Sequence, residues 1–265
     1  MKSVLFILPL VLSFLIFSGY KESFGLDQIL ITISNDRDAI TYDGKWTDTY
    51  EWKRTSLDTI PYDDGRLVIL RTAHQGNFLY VFVDAINDFT LDNGKDNAVV
   101  CIDGNNTKSE LTDKNDFCFT ATLGQNSGAV LQGGDNSSAA KNFQNIINAT
   151  DFIGTSSVSD QNDRYTTTKH PSYEFRMPIE LFGRSDKYGF FLSVYDASAK
   201  KFYNWPTNVA RADLSSIPPP LYWGELVSPD KSLPEFNTPV VVFVSSIIII
   251  IYLARAQHGK KFFDS

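Results

Sequence analysis

Short runs of β-forming residues, separated by polar turns, recur along the middle of the chain. Residues 66–73 form one run, and a glycine-containing turn at 74–77 leads to a second run at 78–86, which is typical of a β-hairpin. The same pattern predicts strands at residues 97–103, 116–123, 152–158, 172–177 and 190–197. Recurring strands without long helical periodicity predict an all-β protein, namely an antiparallel β-sandwich of the jelly-roll or immunoglobulin-like kind.

Three segments depart from this strand pattern. Residues 49–54 and 178–182 are predicted to form short helices. Residues 124–163 are rich in Gly, Ser, Asn and Asp, so we expect a surface insertion there rather than a part of the core.

Both ends of the chain are strongly hydrophobic. Residues 4–17 form an apolar run after Lys2, which predicts a signal peptide over residues 1–24; a retained N-terminal anchor is the alternative. A second apolar run at 238–254 contains five consecutive isoleucines and predicts a transmembrane helix. It is followed by the basic tail 255–265, whose cationic residues predict a cytoplasmic location. The domain at 25–230 would therefore lie outside the cell, joined to the membrane by the linker 231–237.

The linker contains a short motif, Pro234-Glu235-Phe236, directly before the apolar run. The order of tripeptide, apolar span and basic tail resembles the archaeal C-terminal sorting signals that are named after this motif. The resemblance implies that an archaeosortase-type transpeptidase removes the tail and transfers the protein to a lipid anchor. A permanent transmembrane anchor is the alternative, and it gives the same topology.

Two cysteines, Cys101 and Cys118, fall in consecutive predicted strands. Export favours a disulfide between them, and two buried thiols are the alternative. Asn105, Asn136 and Asn148 each begin an Asn-x-Ser/Thr sequon in a polar segment, so they are predicted glycosylation sites.

The charge of the chain limits its partners. A net charge of −7 and a pI near 5.0 argue against nucleic acid, because phosphates require a basic surface. Carboxylates crowd one turn-rich region and offer the hard oxygen ligands that calcium prefers, although their spacing is not that of an EF-hand. The candidate calcium ligands are Asp84, Asp88, Asp92, Asp96 and Asp103. A solvated acidic loop without metal is the alternative.

Several short motifs follow one another in a fixed order. They are residues 40–46 and 49–52 (an Asp-Gly turn and an acidic-Trp patch), 79–84, 96–103, 173–178 (Glu-x-x-x-Pro), 205–206 and 222–226. Taken in this order, they resemble the family 9 carbohydrate-binding modules and their broader DOMON-like relatives. Together they cover about residues 38 to 228. The resemblance implies a β-sandwich that binds sugars through stacked aromatic rings and holds calcium in its loops.

Aromatic residues make up 14% of the chain, and sugars bind flat aromatic faces beside polar groups. The candidate ligand-binding residues are Trp46, Trp52, Trp205, Trp223, Tyr203, Tyr222 and Asn204, with Tyr203-Asn204-Trp205 as the best cluster. The alternative for each tryptophan is a place in the core.

We therefore expect a surface-anchored, non-catalytic module that recognises an environmental or cell-envelope glycan. The sequence contains no nucleophile elbow, phosphate-binding glycine loop or zinc motif, so no catalytic residues are predicted. A structural envelope protein without a small ligand is one alternative. A haem-binding domain is another, and it would use Met177 with His74 or His170.

Overall fold

The computed structural model describes residues 27–37, 40–134, 143–146 and 149–228. The predicted signal peptide, the Pro234-Glu235-Phe236 motif, the apolar span and the basic tail lie outside the described residues, as do Asn136 and Asn148. In the described part of the chain, no helix is both long enough and apolar enough to cross a membrane.

The described residues form fourteen β-strands in two sheets. The strands are β1 (Gln28–Leu30), β2 (Thr32–Ile33), β3 (Ser56–Pro61), β4 (Leu67–Gln75), β5 (Phe78–Asp84), β6 (Asn97–Asp103), β7 (Asp116–Thr122), β8 (Ala129–Gly133), β9 (Phe143–Asn145), β10 (Ile153–Val158), β11 (Pro171–Pro178), β12 (Lys187–Asp196), β13 (Lys201–Trp205) and β14 (Gly224–Val227). The large sheet has the order β1-β14-β12-β6-β7-β8-β9, with β13 beside β12. The small sheet has the order β10-β11-β5-β4-β2, with β3 also beside β4. The predicted all-β fold with two sheets is confirmed.

The predicted antiparallel pairing does not extend to two edge strands, since β1 runs parallel to β14 and β2 parallel to β4. The cause is that β1 and β2 are one extended segment that passes from the large sheet to the small one at Ile31. The N–H of Ile31 donates to the carbonyl of Val227, and the N–H of Ser34 donates to that of His74. One extended segment thus ties the two sheets together along one side of the sandwich.

Strict alternation of side chains along the strands separates three apolar layers. On β5, Leu79, Val81 and Val83 face the central core between the sheets, whereas Tyr80 and Phe82 face outward. The outward residues belong to the small-sheet outer layer, which also contains Ile40, Trp46, Trp52 and Ala73. A corresponding large-sheet outer layer contains Val99, Cys101, Cys118, Phe191 and Trp223. Loops therefore cover part of both outer faces of the sandwich.

Residues 124–163 were expected to be a surface insertion, and this is wrong for much of the segment. They include β8 and β9, which were not predicted, and β10, which agrees with the strand predicted at 152–158. Val130 and Thr155 are buried. Small residues are needed here because strands of the two sheets approach closely: a Cβ on Gly154 would lie 3.0 Å from the carbonyl oxygen of Thr120. The composition thus reflects tight packing rather than exposure.

The two short helices predicted at 49–54 and 178–182 are also wrong, since both segments form turns. Such short segments cannot stabilise a helix by themselves, because nucleation costs more than one turn returns. Pro178 instead ends β11, opposite Phe78.

The predicted disulfide is confirmed. Cys101 and Cys118 lie directly opposite each other on β6 and β7, with Cα atoms 4.0 Å apart, and are bonded.

Candidate functional site

A groove crosses the outer side of the large sheet, where the segment 206–223 connects β13 to β14. Its volume is about 670 Å³, within the range of small-molecule sites. Its lining includes Pro206, Asn208, Ile217, Leu221, Tyr222 and Trp223. The groove is therefore walled mostly by apolar and aromatic side chains, with a few polar groups among them.

Trp223 anchors this segment to the sheet. Its ring lies nearly parallel to the rings of Phe191 and Phe143, with centroids 6.3 and 6.5 Å away, and its indole N–H donates to the carbonyl of Pro218 at 2.8 Å. Trp223 is only 1% exposed and packs in the layer that contains the disulfide. The ring is therefore mainly a structural support for the groove.

Arg211 fixes the other side of the same segment. Its guanidinium donates to the carbonyls of Leu214 and Ser216 at 2.6 and 2.8 Å, and to the Ser193 hydroxyl at 3.2 Å. Burial lowers the pKa of Arg211 to about 10. Because the Arg211 guanidinium donates charge-assisted hydrogen bonds to two backbone carbonyls of the turn, the segment that lines the groove is held in one conformation.

Tyr222 is the aromatic residue of the groove that remains open, with 56% of its surface exposed. A phenol ring at the wall of a groove offers a flat apolar face to a ligand. The Tyr222 hydroxyl and the Asn208 amide can each donate a hydrogen bond to a ligand in the groove and accept one from it. Pyranose rings present the complementary combination of C–H faces and hydroxyl rims. The groove can thus accommodate a sugar by contacts of the predicted kind.

The predicted cluster Tyr203-Asn204-Trp205 is not a single surface. Because side chains alternate on β13, Tyr203 and Trp205 face the central core and Asn204 faces the other side. The Tyr203 hydroxyl donates to Asp64 at 2.9 Å, and the Asn204 amide donates to the Val209 carbonyl at 2.8 Å. Asn204 thus supports the base of the groove segment, while the two rings are 4% and 8% exposed.

Trp46 and Trp52 lie on the opposite side of the molecule, in the small-sheet outer layer. Both are at most 1% exposed. Trp46 packs edge-on against Phe82, Trp52 stacks on Phe82, and the Arg71 guanidinium lies over the Trp46 ring. The structure therefore places these two candidates in a packed layer, away from the groove.

The five candidate calcium ligands are not brought together. Asp96 directly precedes β6 and Asp103 ends it, seven residues apart, which is about 23 Å in extended chain. Asp103 instead accepts hydrogen bonds from the N–H groups of Asn105, Thr107 and Lys108 in the loop after β6. The expectation of one site failed because closeness along a strand is not closeness in space.

Asp88 and Asp96 do share a site, with a residue that was not predicted, Asp196 at the end of β12. One carboxylate oxygen from each lies within 4.8 Å of the others, and all three residues are buried. Arg66 donates to Asp196 at 2.7 Å and lies 3.9 Å from Asp88. Burial and the charge of Asp196 raise the pKa of Asp88 to about 6, so one arginine does not balance the three carboxylates.

The remaining candidates occupy separate places. The Asp92 N–H donates to the Asp96 carboxylate at 2.7 Å, and Asp92 does not belong to the three-residue group. Asp84, at the end of β5, lies 2.6 Å from His170. Burial raises the pKa of Asp84 to about 6, an effect that His170 opposes.

The haem alternative finds no support in the positions of its ligands. Met177 packs in the central core. His170, directly before β11, belongs by alternation to the opposite, outward face of that strand. His74 and Met177 both lie opposite Leu79, which separates them. Neither Met177 with His170 nor Met177 with His74 can therefore ligate one haem iron without a rearrangement of the sheet.

Among the glycosylation sequons, Asn105 is the one within the described residues, and it is exposed in the loop that Asp103 organises. Sequence reasoning missed Asp163 and Asp196. Asp196 lies at the end of a predicted strand, and this position was the available signal for a site residue. The sequence does not show that Asp88 and Asp96, its partners, come from another part of the chain.

No protein-family model matches the sequence, and neither does any curated protein. Among solved structures, a family 9 carbohydrate-binding module from Caldicellulosiruptor kristjanssonii in complex with cellotriose has 13% sequence identity and a TM-score of 0.51, covering 76% of this chain and 93% of that chain. A family 9 module from the same organism in complex with glucose has 13% identity and a TM-score of 0.50, covering 76% and 95%. The described domain has the fold of a family 9 carbohydrate-binding module.

Proposed function

We propose that this protein is a non-catalytic carbohydrate-binding module that is displayed at the cell surface. The groove beside Tyr222 carries the proposal, because it combines an open aromatic ring, a buried aromatic support and polar groups on a rigid wall. The fold adds support, since the similar modules from Caldicellulosiruptor kristjanssonii are in complex with cellotriose and glucose.

Binding to a soluble glycan panel tests this proposal, with cellotriose, glucose and envelope polysaccharide from the host as the first probes. Titration calorimetry should detect a ligand, and Tyr222→Ala should weaken its binding about tenfold, which corresponds to the loss of one aromatic contact of about 1.4 kcal/mol. Tyr50→Ala is the matched control, because Tyr50 is similarly exposed (66%) but lies outside the groove. Equal affinity in the two variants would remove the groove from the proposal, and no binding to any glycan would contradict the function.

Calcium is a second part of the proposal, now at Asp88, Asp96 and Asp196. The three buried carboxylates supply hard oxygen ligands, and their charge exceeds that of Arg66. A bound calcium ion would relieve this repulsion and join the end of β12 to the segment between β5 and β6. Its chemical role would be structural, since it lies apart from the groove residues.

Surface attachment is the third part, and it rests on the sequence alone. The signal peptide, the Pro234-Glu235-Phe236 motif and the apolar run predict an outward-facing domain whose tether is either the apolar helix or a lipid. Mass spectrometry of the mature protein from its host distinguishes the two tethers. A C-terminus near Pro234 with an added lipid mass supports the sorting signal, and an intact Ser265 supports a transmembrane anchor.

A further inference from the structure

Three side chains from separate segments converge at one end of the small sheet. They are Asp84 at the end of β5, His170 just before β11, and Asp163 in the connection between β10 and β11. Asp84 Oδ1 lies 2.6 Å, and Asp163 Oδ2 3.8 Å, from His170 Nε2. All three side chains are at most 1% exposed.

The other ring nitrogen of His170 is already committed. Nδ1 lies 2.7 Å from the carbonyl oxygen of Thr168 and 3.0 Å from Oγ of Ser159. The carbonyl is the nearer partner and can only accept a hydrogen bond, so Nδ1 carries a hydrogen. In the neutral imidazole, Nε2 then presents its lone pair to the two carboxylates. This is the arrangement of a metal-ligating histidine, whose second nitrogen donates to a backbone carbonyl.

The carboxylates also have unused oxygens. Asp84 Oδ2 and Asp163 Oδ2 are buried without any hydrogen-bond partner, whereas Asp163 Oδ1 accepts from the N–H groups of Tyr165 and Thr166. Within the described residues, the ion pairs of Asp84 and Asp163 are both with His170. One imidazolium would leave a net negative charge in a buried place, which is unfavourable. A divalent cation on two carboxylates and a neutral imidazole gives no net charge.

We propose that Asp84, Asp163 and His170 bind a divalent transition metal of the zinc type. An imidazole nitrogen with carboxylate oxygens suits zinc and its neighbours, whereas calcium and magnesium take oxygen ligands. The site is separate from the three-aspartate group and from the groove, so it does not depend on glycan binding.

The metal would fix the connection between β10 and β11 to the sheet. Tyr165, two residues after Asp163, accepts a hydrogen bond from Arg71 at 2.7 Å and packs edge-on against Trp46. The bound ion would therefore hold in place the segment that covers part of the small-sheet outer layer. This assigns it a structural role.

Calorimetric titration of the chelator-treated, dialysed full chain with ZnCl₂, and in parallel with CaCl₂, tests the proposal. We expect a zinc site that Asp163→Asn weakens at least about tenfold, since even outer partners of metal sites contribute 10–100-fold. Asparagine keeps the Oδ1 acceptor that organises the turn, so the variant is expected to fold. Asp160→Asn is the matched control on the same segment, because Asp160 pairs with Lys45 instead, and it should leave zinc affinity unchanged.

A second measurement keeps the test independent of the variants. In the wild-type protein, zinc should shift the ¹⁵N resonance of His170 Nε2, and the rings of His74 and His258 should not respond. The proposal is overturned if the wild-type protein takes up no zinc. That result is expected if a proton shared between the Asp84 and Asp163 carboxyl groups, rather than a metal ion, neutralises the site. It is also overturned if Asp163→Asn binds zinc as well as wild type, if His258→Asn removes the binding, or if calcium occupies the same site equally well.

Discussion

The indole N–H of Trp52 donates to Oε1 of Glu174 at 2.9 Å, joining residues 122 positions apart. The second carboxylate oxygen, Oε2, accepts the N–H of Gly44 at 2.7 Å. Gly44 has a φ of 85°, and a Cβ there would lie 2.2 Å from the Ser156 backbone, so only glycine fits. One buried carboxylate therefore attaches the segment that carries Trp46 and Trp52 to β11.

Removing this carboxylate should destabilise the domain. In Glu174→Ala, two buried N–H groups lose their acceptor, and we expect a loss of about 2–4 kcal/mol in the free energy of unfolding. Trp52→Phe removes one of the two donors and should cost less. Denaturant unfolding of both single variants and the double variant gives the coupling between the residues, expected at about 1 kcal/mol or more. Additive effects would show that the hydrogen bond contributes nothing of its own.

The disulfide should be a major source of stability. Cys101 and Cys118 are 17 residues apart, and closing such a loop contributes about 3 kcal/mol in the chain-entropy model. We therefore expect Cys101→Ala/Cys118→Ala to lower the melting temperature by roughly 6–12 °C. Reductant should lower the melting temperature of the wild-type protein similarly and leave the double variant unaffected. A wild-type protein insensitive to reductant would contradict the prediction.

Asp116 should make stability fall with rising pH. Burial raises its pKa from 3.8 to about 7, and the nearby Asp103 adds to the effect. Between these values the folded protein binds more protons than the unfolded chain, so the free energy of unfolding decreases as pH rises from about 4 to 7. Asp116→Asn should flatten this dependence in melting curves at pH 5, 6, 7 and 8.

Asp113→Asn is the control for the pH experiment. Asp113 lies in the same turn and is only half-buried, and asparagine can still accept the Asn115 N–H through Oδ1. Its pH dependence should stay close to that of the wild-type protein, because the charge of Asp113 makes only the smallest of the contributions that raise the pKa of Asp116. The prediction is contradicted if the melting temperature of the wild-type protein rises from pH 5 to 7 and that of Asp116→Asn rises by the same amount. Asp116 would then be ionised in the folded state without a cost in stability.

Calcium should stabilise the domain through Asp88, Asp96 and Asp196. At a calcium concentration 100 times the dissociation constant, the gain is about 2.7 kcal/mol, and a calcium-selective chelator should reverse it. Asp88→Asn should abolish the stabilisation by calcium, because it removes one carboxylate charge from the site. The variant should still fold, because the asparagine Oδ1 can accept the hydrogen bonds from Thr90. Asp92→Asn should retain it, because Asp92 is outside the group. A chelator-insensitive melting temperature in calcium-loaded protein would exclude the site.

Much of the fold follows from local patterns. Near-continuous runs of β-forming apolar residues at 78–84 and 97–103 predict strands that are buried on both faces. The register of β6 and β7 makes the cysteines meet. The small residues at 124–163 led the prediction to miss β8 and β9, because the same residues that form exposed loops also permit close strand packing, as Gly128 does beside the carbonyl of Thr120.

The sequence alone determined most of the strand pattern, the placement of the two cysteines in consecutive strands and the acidic, aromatic character of the domain, because these depend on residues that are close in the chain or on composition. Tertiary structure decided which side chains are free. It buried all four tryptophans and left Tyr222 open, and it separated Asp103 from Asp96 while uniting Asp84 with Asp163 and His170. The physical reason is that a site is formed where strand ends and loops meet in space, and the crossing of chains between two sheets sets those meetings, which no local pattern records.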